Sequence, residues 1–202
     1  MSAEIGGMAV VFRLGELATT DDELERVGRL NPHLRVERAP TGELILSPPA
    51  GGWAGHCGIQ FAFQVESWNR RVRYGVVYDA STGFRLPHGA LRSPDLAVVA
   101  QERIDAIPMS VQMRWLPVCP DLVIEIRSPN DDADDLSAKL RMFRDNGAAV
   151  ALSFDPRGTV EIHDTSGVAR KHTPERIELW LPGAADPFTI ELGDLYRFSS
   201  PA

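Results

Sequence analysis

The stretch PDLVIEIRSPNDDADDLSAKL, from Pro120 to Leu140, places an acid in the middle of an apolar strand pattern. Successive side chains of a strand point to opposite faces of a sheet. One face of this strand is therefore apolar and consists of Leu122, Ile124 and Ile126. The other face carries the ionisable side chains, which are Asp121, Glu125 and Arg127. This alignment indicates either a structural ion pair between Glu125 and Arg127 or a functional site.

A helix is predicted directly after this strand. Ser128-Pro129 ends the strand, residues 130–132 supply N-cap candidates, and Asn146-Gly147 ends the helix. The apolar stripe of the helix consists of Leu136, Leu140 and Phe143. Lys139 lies beside that stripe, and its long side chain leans toward the amino-terminal end of the helix. We therefore expect the Lys139 ammonium group to approach Glu125.

A second acid, Asp95, stands at the start of another apolar strand, SPDLAVVA, at residues 93–100. Two carboxylates and an ammonium group are thus expected to meet at one end of a sheet. Magnesium prefers oxygen ligands, and it stabilises the charge that develops on a phosphodiester under attack. A nearby lysine can orient or help to deprotonate the attacking water, whereas an arginine stays protonated and can only hold charge or bind phosphate.

The remaining elements are predicted from periodicity and punctuation. A capping box at Thr20–Glu23 starts a short helix, which Asn31-Pro32 stops. A hairpin at 35–38 and 43–47 precedes the loop SPPAGGWAG, and a long helix runs from His56 to about Arg73. Further strands are expected in GVVYDASTGFRLPHG, AAVALSFDP, RGTVEIHD, IELWL and FTIEL, whereas residues 101–117 show no clean period. We interpret residues 1–202 as one domain, with a helical extension at 1–34 and a β-rich appendage at 165–202.

Composition excludes several classes of protein. The chain has 202 residues, of which 44% are hydrophobic, and this is enough to bury a core. Cys57 and Cys119 lack CxxC spacing, so we expect two buried free thiols rather than a zinc site or a disulfide framework. A net charge of -7 gives no general attraction to nucleic acid or lipid, so any polyanion site must be local. No segment reads as a signal peptide or a membrane span, and we expect a cytoplasmic protein.

The motifs around both acids resemble a known family. RSPDLAVV, PDLVIEIRSP, Lys139 in a helix and a strand closing in Asp155-Pro156 resemble the putative restriction endonuclease (Uma-type) group of the PD-(D/E)-x-K nuclease superfamily. NPHLRVERAPTGELILSPP, GVVYDASTGFRLPHG and the late LPG segment also fit, so the likeness extends from about Asn31 onward. It implies an α/β fold with a restriction-endonuclease-like core, in which helices flank a mixed β-sheet and β-hairpins are added.

The same resemblance implies roles for individual residues. Asp95 and Glu125 are the implied ligands of Mg2+ or Mn2+. The superfamily pattern has a lysine two residues after the acid, where this chain has Arg127. The resemblance implies that Lys139, on the following helix, takes the place of that lysine.

Three hypotheses on function follow. The first is a divalent-metal-dependent endonuclease that hydrolyses phosphodiester bonds in DNA, with Asp95 and Glu125 on the metal, Lys139 on the water and Arg127 on the scissile phosphate. The second is a relative that has lost catalysis and acts as a binding or assembly module, for instance as a homodimer. The third is a nucleotide or small-ligand binder that uses the glycine-rich segment GGWAGHCG.

Other residues have two possible interpretations. Glu37, in RVER, is either an accessory acid of the site or an exposed strand glutamate. His56 is either a hydrogen-bonding residue at a helix start or a ligand. Basic residues at two helix ends are candidates for a DNA-contacting patch, or they are solvated cations that favour a helix carboxyl terminus. They are Arg70, Arg71, Arg73, Arg141 and Arg144.

Overall fold

The computed structural model describes residues 2–6, 9–13, 20–129 and 131–196, with side chains from residue 20 onward. Two six-stranded sheets, one two-stranded sheet and six helices lie within these ranges. Asn130, one of the N-cap candidates, lies outside them. No helix in the described ranges has the length and apolar character needed to cross a membrane.

The central sheet contains the strand of Glu125. Its order is β12 (Gly167–His172), β11 (Thr159–Asp164), β10 (Val150–Asp155), β9 (Leu122–Ile126), β8 (Leu96–Ala100) and β5 (Gly75–Asp79). Strands β9 and β10 are parallel, whereas the other neighbours are antiparallel, so the predicted mixed sheet is confirmed. Helix α5 (Ala133–Asp145) connects β9 to β10, because parallel neighbours require a crossover.

One helix covers each face of this sheet. Helix α2 (Gly52–Val72) buries Phe61 and Val65 against the face of β9 that carries Ile124. Helix α5 buries Leu140 and Phe143 against the opposite face, which carries Val123 and Glu125. Complete burial of each large apolar side chain contributes about 2 kcal/mol relative to exposure. The predicted alternation along β9 is therefore confirmed, and it directs Glu125 toward the α5 side.

The ends of α5 follow the sequence prediction. Asp132 is the N-cap, and its side chain accepts hydrogen bonds from the backbone N–H groups of Asp134 and Asp135. After the C-cap Asn146, Gly147 adopts a φ of +110°, a conformation that disfavours other residues. These two caps fix where α5 begins and ends, and hence which of its residues face β9.

The second sheet is built from the first half of the chain. Its order is β1 (Ser2–Gly6), β2 (Ala9–Arg13), β4 (Leu44–Ser47), β3 (Arg35–Arg38), β7 (Leu91–Arg92) and β6 (Phe84–Arg85). Helix α1 (Asp21–Leu30) packs Leu24 against Val36 of β3. The predicted capping box is present, since Thr20 and Glu23 bond reciprocally. The helical extension predicted for residues 1–34 is only partly helical, because β1 and β2 join the sheet through pairing with β4.

Several further boundaries differ from the prediction. Helix α2 begins at Gly52, four residues before the predicted start at His56. The two strands predicted in GVVYDASTGFRLPHG, β5 and β6, belong to different sheets. Residues 101–117 contain two short helices, α3 (Gln101–Asp105) and α4 (Met109–Gln112).

The carboxyl-terminal part is integrated with the core. Strands β13 (Arg176–Leu179) and β14 (Phe188–Glu191) form a hairpin that is followed by α6 (Gly193–Tyr196). Phe188 and Ile190 are buried in the same apolar cluster as α2. Cys57 and Cys119 are buried free thiols, as predicted.

Candidate active site

Three of the predicted site residues converge. Glu125 lies near the end of β9, Asp95 directly precedes β8, and Lys139 projects from α5. Lys139 Nζ is 2.7 Å from Glu125 Oε1. Asp95 Oδ2 accepts a hydrogen bond of 2.8 Å from the backbone N–H of Ile126, the residue after Glu125. The antiparallel pairing of β8 with β9 thus brings both carboxylates to one end of the central sheet.

Arg127, the fourth predicted residue, lies outside the cluster that Asp95, Glu125 and Lys139 form. Its Nη1 donates to Asp155 Oδ2 at 2.6 Å, and its Nε and Nη2 donate to the carbonyl oxygen of Asp131 at 3.2 and 3.0 Å. The backbone N–H of Arg127 still donates to Phe154 of β10 at 2.9 Å, so its side chain meets Asp155, the next residue of that strand. The alternative of an ion pair between Arg127 and Glu125 is therefore wrong, because each side chain pairs elsewhere.

Strand β3 contributes two charged residues, Arg35 and Glu37. Arg35 Nη1 lies 2.9 Å from Asp95 Oδ1, and Glu37 Oε1 lies 3.5 Å from Lys139 Nζ. Glu37 is only 4% exposed, so its interpretation as an exposed strand residue is wrong. Arg35 was not predicted as a site residue. The pattern that could have predicted it is the alternation in RVER, which places Arg35 and Glu37 on one face of the strand and Val36 on the other.

The two buried glutamates have opposite pKa shifts. Burial raises the pKa of Glu125 to about 7, although Lys139 opposes this rise and Asp95 adds to it. Burial also acts to raise the pKa of Glu37, but the charges of Lys139, Arg92 and Arg35 outweigh it and lower that pKa to about 2. At neutral pH, Glu37 is therefore ionised, whereas Glu125 is close to its midpoint. Of these two glutamates, Glu125 is the one whose charged form burial disfavours.

Both carboxylates have chemistry that fits a hard divalent ion. Glu125 Oε1 is buried and lacks a hydrogen-bond donor in acceptable geometry, although the Lys139 ammonium is close enough for an ion pair. Among residues 20–129 and 131–196, no group of three or more His, Cys, Asp or Glu side chains is arranged to hold a metal. Besides the carboxylates of Asp95 and Glu125, the cluster holds that of Glu37, whose Oε1 already accepts from the Ser93 N–H. Magnesium commonly takes one or two carboxylates, with water and substrate phosphate as its other ligands.

The cluster opens into a groove with a volume of about 1330 Å³. Strand β3, the first half of α2 and the start of α5 form its walls. Beyond the cluster, most of the charged lining is acidic, namely Glu43, Asp79, Asp131, Asp132 and Asp135. A groove with this lining attracts divalent cations more readily than it attracts a bare polyanion.

Neither basic patch that the sequence suggested lines this groove. Arg70 pairs with Glu66 at 2.8 Å, and it follows the last groove residue of α2, Ala62, by about 12 Å along the helix axis. Arg141 donates to Ser137 Oγ at 2.8 Å, and Arg144 donates to the carbonyl oxygen of Ala148. These arginines occupy other parts of the surface.

The glycine-rich segment and His56 also lie outside the cluster. Gly51 is the N-cap of α2, and the N–H of Gly55 already bonds to its carbonyl oxygen at 3.0 Å. The glycines after Gly51 are therefore helical and do not form a phosphate-binding loop. His56 lies within α2 rather than at its start, and it is not part of the groove lining.

Comparison with known proteins identifies the family. A family model described as Uma2, putative restriction endonuclease, matches residues 21–182, which is most of the chain. The chain belongs to the Uma2 family. The Uma-type resemblance in the sequence is thereby confirmed, and membership of Uma2 supports a nuclease function at the level of the family. No curated protein matches the chain.

A solved structure has the same fold as this Uma2 chain. It is a crystal structure of a putative nuclease belonging to DUF820 from Anabaena variabilis ATCC 29413. The two are 17% identical with a TM-score of 0.69, and the match covers 89% of this chain and 98% of the other. At this identity the likeness shows the fold alone. It confirms the predicted α/β class, with a mixed sheet flanked by helices.

Proposed function

We propose that this Uma2 chain is a divalent-metal-dependent endonuclease that hydrolyses phosphodiester bonds in DNA. One observation carries the proposal: Asp95, Glu125 and Lys139 meet at one end of the central sheet, where the buried Glu125 Oε1 forms an ion pair with Lys139 but, among the described residues, no hydrogen bond of acceptable geometry. Family membership supports the nuclease activity, whereas the metal dependence and the DNA substrate rest on the chemistry of these side chains.

The side chains have separate roles in this proposal. Asp95 and Glu125 would hold Mg2+ or Mn2+, which supplies charge neutralisation at the phosphate when bound. Asp95 is fixed for this by Arg35 and by the backbone of Ile126. The ammonium group of Lys139 reaches Glu125 and can orient the attacking water through its N–H donors.

Arg127 has a structural role in the proposal instead of the phosphate contact suggested by the sequence. Its guanidinium group joins Asp155, at the end of β10, to the carbonyl oxygen of Asp131, just before α5. Burial acts to raise the pKa of Asp155, but hydrogen bonds from Arg157 and Arg127 lower it below its ordinary value. Arg127 therefore stabilises the turn that leads from β9 into α5.

Duplex DNA has two antiparallel strands, so a double-strand cut needs two active sites or two binding events. A homodimer with twofold symmetry presents two sites in the required relationship. We include such a dimer in the proposal, and light scattering of the purified protein, alone and with a short duplex, measures it.

A cleavage assay tests the proposed function. Supercoiled plasmid and short duplexes are incubated with the protein in Mg2+, in Mn2+ and in excess chelator. We expect nicked or linear products only with metal, and no products from Glu125→Gln. Glu102→Gln is the matched control, because Glu102 is an exposed glutamate on α3, and it should cleave at the wild-type rate. Metal-independent cleavage, or equal cleavage by Glu125→Gln, would contradict the proposal.

One observation favours a second candidate, a binding module without catalysis. The position two residues after Glu125, where the superfamily pattern has a lysine, holds Arg127, and its guanidinium group bonds to Asp155 and to the Asp131 carbonyl oxygen instead of entering the site. DNA binding that persists in chelator, with no cleavage in either metal, would support this candidate against the endonuclease.

A further inference from the structure

Strand β3 holds the backbone N–H and the carbonyl group of one residue, Ser93, beside the candidate active site. The backbone N–H of Ser93 donates to Glu37 Oε1 at 2.9 Å, and Arg35 Nη1 donates to the Ser93 carbonyl oxygen at 3.3 Å. Ser93 precedes Asp95 by two residues. Two neighbouring side chains on one face of β3 thus fix the segment that carries a proposed metal ligand.

Each of these side chains also contacts a charged residue of the cluster. Arg35 pairs with Asp95 at 2.9 Å, and Glu37 faces Lys139 at 3.5 Å. Lys139 Nζ therefore has two carboxylate neighbours: Glu125 at 2.7 Å and Glu37 at 3.5 Å. The ammonium group thus lies near both Glu125, a proposed metal ligand, and Glu37, which accepts a hydrogen bond from the backbone of Ser93.

This arrangement matters because Lys139 and a metal ion compete for the same carboxylate. An ammonium group 2.7 Å from Glu125 Oε1 neutralises the charge that would attract the metal. Glu37 offers that ammonium a second acceptor, so Lys139 can move away from Glu125 without losing all its charge compensation. Without the charge of Glu37, Glu125 would be the one carboxylate within 4.0 Å of Lys139 Nζ among the described residues, and the pair would tighten.

We propose that Glu37 is a positioning residue that draws Lys139 away from Glu125 and so leaves Glu125 free to bind the metal. The inference rests on the proposed function, since it takes Glu125 as a metal ligand. It adds that β3, from the second sheet, completes the active site. Stability alone does not explain Glu37, because a well-packed apolar side chain is often at least as stabilising as a buried ion pair.

A double-mutant cycle with Mn2+ as the probe tests this role. Mn2+ affinity is measured by calorimetry at pH 8 for the wild type, Glu37→Gln, Lys139→Met and the double variant. Glutamine keeps an oxygen for the Ser93 N–H but loses the charge. We expect Glu37→Gln to weaken Mn2+ binding about tenfold, the order of one lost charge interaction. In the Lys139→Met background the same change should have little effect, because the competing ammonium is gone.

Two further variants separate this role from a general effect. Glu43→Gln removes an acid of the groove lining that lies in the turn between β3 and β4, and it should change Mn2+ affinity much less than Glu37→Gln. Glu37→Asp keeps the charge and should restore most of the affinity. Thermal unfolding of each variant shows whether it is folded, and the Glu37→Asp comparison still applies if Glu37→Gln does not fold.

The outcomes distinguish the inference from the function on which it rests. Wild-type Mn2+ affinity in Glu37→Gln would overturn the inference alone. An equal loss of affinity with and without Lys139 would also overturn it, since Glu37 would then act through the fold. A wild-type protein that binds no Mn2+ would overturn the proposed function, and the inference with it.

Discussion

The carboxylate of Asp95 accepts a hydrogen bond of 2.8 Å from the backbone N–H of Ile126, and this bond fixes Asp95 beside Glu125. We predict that Asp95→Asn and Glu125→Gln each lower the rate of metal-dependent cleavage at least about a thousandfold, because each removes a charged oxygen from the proposed metal site. The rates are measured under single-turnover conditions, with folding checked by circular dichroism. If either variant cleaves within about tenfold of the wild type, that residue is not a ligand.

The raised pKa of Glu125 predicts a pH effect on the metal-free protein. A carboxyl pKa that is higher in the folded than in the unfolded state favours folding at low pH, and this stabilisation is lost as pH rises from 4.5 to about 7. Glu125→Gln has no such carboxyl group, so its folding stability should not fall in this way as pH rises. We therefore expect the variant to be about 2 kcal/mol more stable than the wild type at pH 8, and the difference to shrink or reverse at pH 4.

Urea unfolding in excess chelator at both pH values measures this effect. Glu37 is a useful internal contrast, since its pKa is lowered to about 2 and its stabilisation is lost only as pH falls below 4.5. A Glu125→Gln variant that is less stable than the wild type at pH 8 would show that the charged form of Glu125 is favoured in the fold.

Lys139 and Arg127 can be separated by substitution. Lys139→Met should remove most turnover without weakening metal binding, because an ammonium group is not a metal ligand. Lys139→Arg should restore little of this turnover, because a guanidinium group keeps its proton and its planar shape does not fit the space of an ammonium group. Arg127→Ala should lower stability through the loss of its bond to Asp155, while the cleavage rate of the folded fraction changes less. The opposite result, normal cleavage by Lys139→Met and none by Arg127→Ala, would transfer the catalytic role to the arginine.

DNA binding should depend on salt through a small number of phosphate contacts. The chain carries a net charge of -7 and an acidic groove, so we expect affinity to rise with Mg2+ or Ca2+ and to fall as monovalent salt increases. Reversal of Arg70 and Arg71 to glutamate tests the basic end of α2, where both side chains are exposed. Unchanged affinity in fluorescence anisotropy would remove this end of α2 from the DNA-binding surface.

A hydrogen-bond network that centres on Glu161 and joins β11 to α5 and β12 predicts a separate effect on stability. Glu161 accepts from Ser137 Oγ at 2.5 Å and Arg170 Nε at 2.7 Å, and it bonds to His163 Nε2 at 2.6 Å. Burial acts to raise its pKa, but the bonds from His163, Ser137 and Arg170 lower it to about 2. Glu161→Ala should cost about 3 kcal/mol at pH 7, because it leaves buried partners unpaired.

The sign of the pH dependence follows from the lowered pKa of Glu161. Its stabilisation is complete above about pH 4.5, the ordinary value of a glutamate, and is lost as pH falls toward 2. The difference between wild type and variant should therefore shrink in acid. Glu178→Gln, at an exposed position on β13, is the control and should leave stability unchanged at both pH values.

Local pattern was sufficient to predict the centre of the site. Alternation along β9 placed Glu125 opposite the apolar face, and the lean of helical side chains brought Lys139 to 2.7 Å from it. Arg127 was misplaced because a neighbouring strand supplies the carboxylate with which it pairs. The partner of Arg127, Asp155, lies on β10, and the sequence pattern does not specify which residues of two parallel strands end side by side.

The residues that the second sheet contributes to the site could not be predicted from the local sequence pattern. Arg35 and Glu37 enter the site because β3 packs beside the 93–95 segment, and this is a contact between residues about sixty positions apart. Strands β1 and β2 were missed for a similar reason, since a short apolar run forms a strand only when it finds a partner. The alternation of charged and apolar residues in a short strand such as RVER is the sequence pattern that can predict site residues of this kind.

The position of a bound metal shows whether Asp95 and Glu125 form the metal site. Crystals soaked in Mn2+ are measured at the manganese absorption edge, and the anomalous difference map locates the ion. We predict one peak between the carboxylates of Asp95 and Glu125, with Lys139 displaced toward Glu37, and no such peak in Glu125→Gln crystals. A metal-dependent nuclease whose manganese peak lies elsewhere, with Lys139 still paired to Glu125, would show that these two carboxylates are not the metal site.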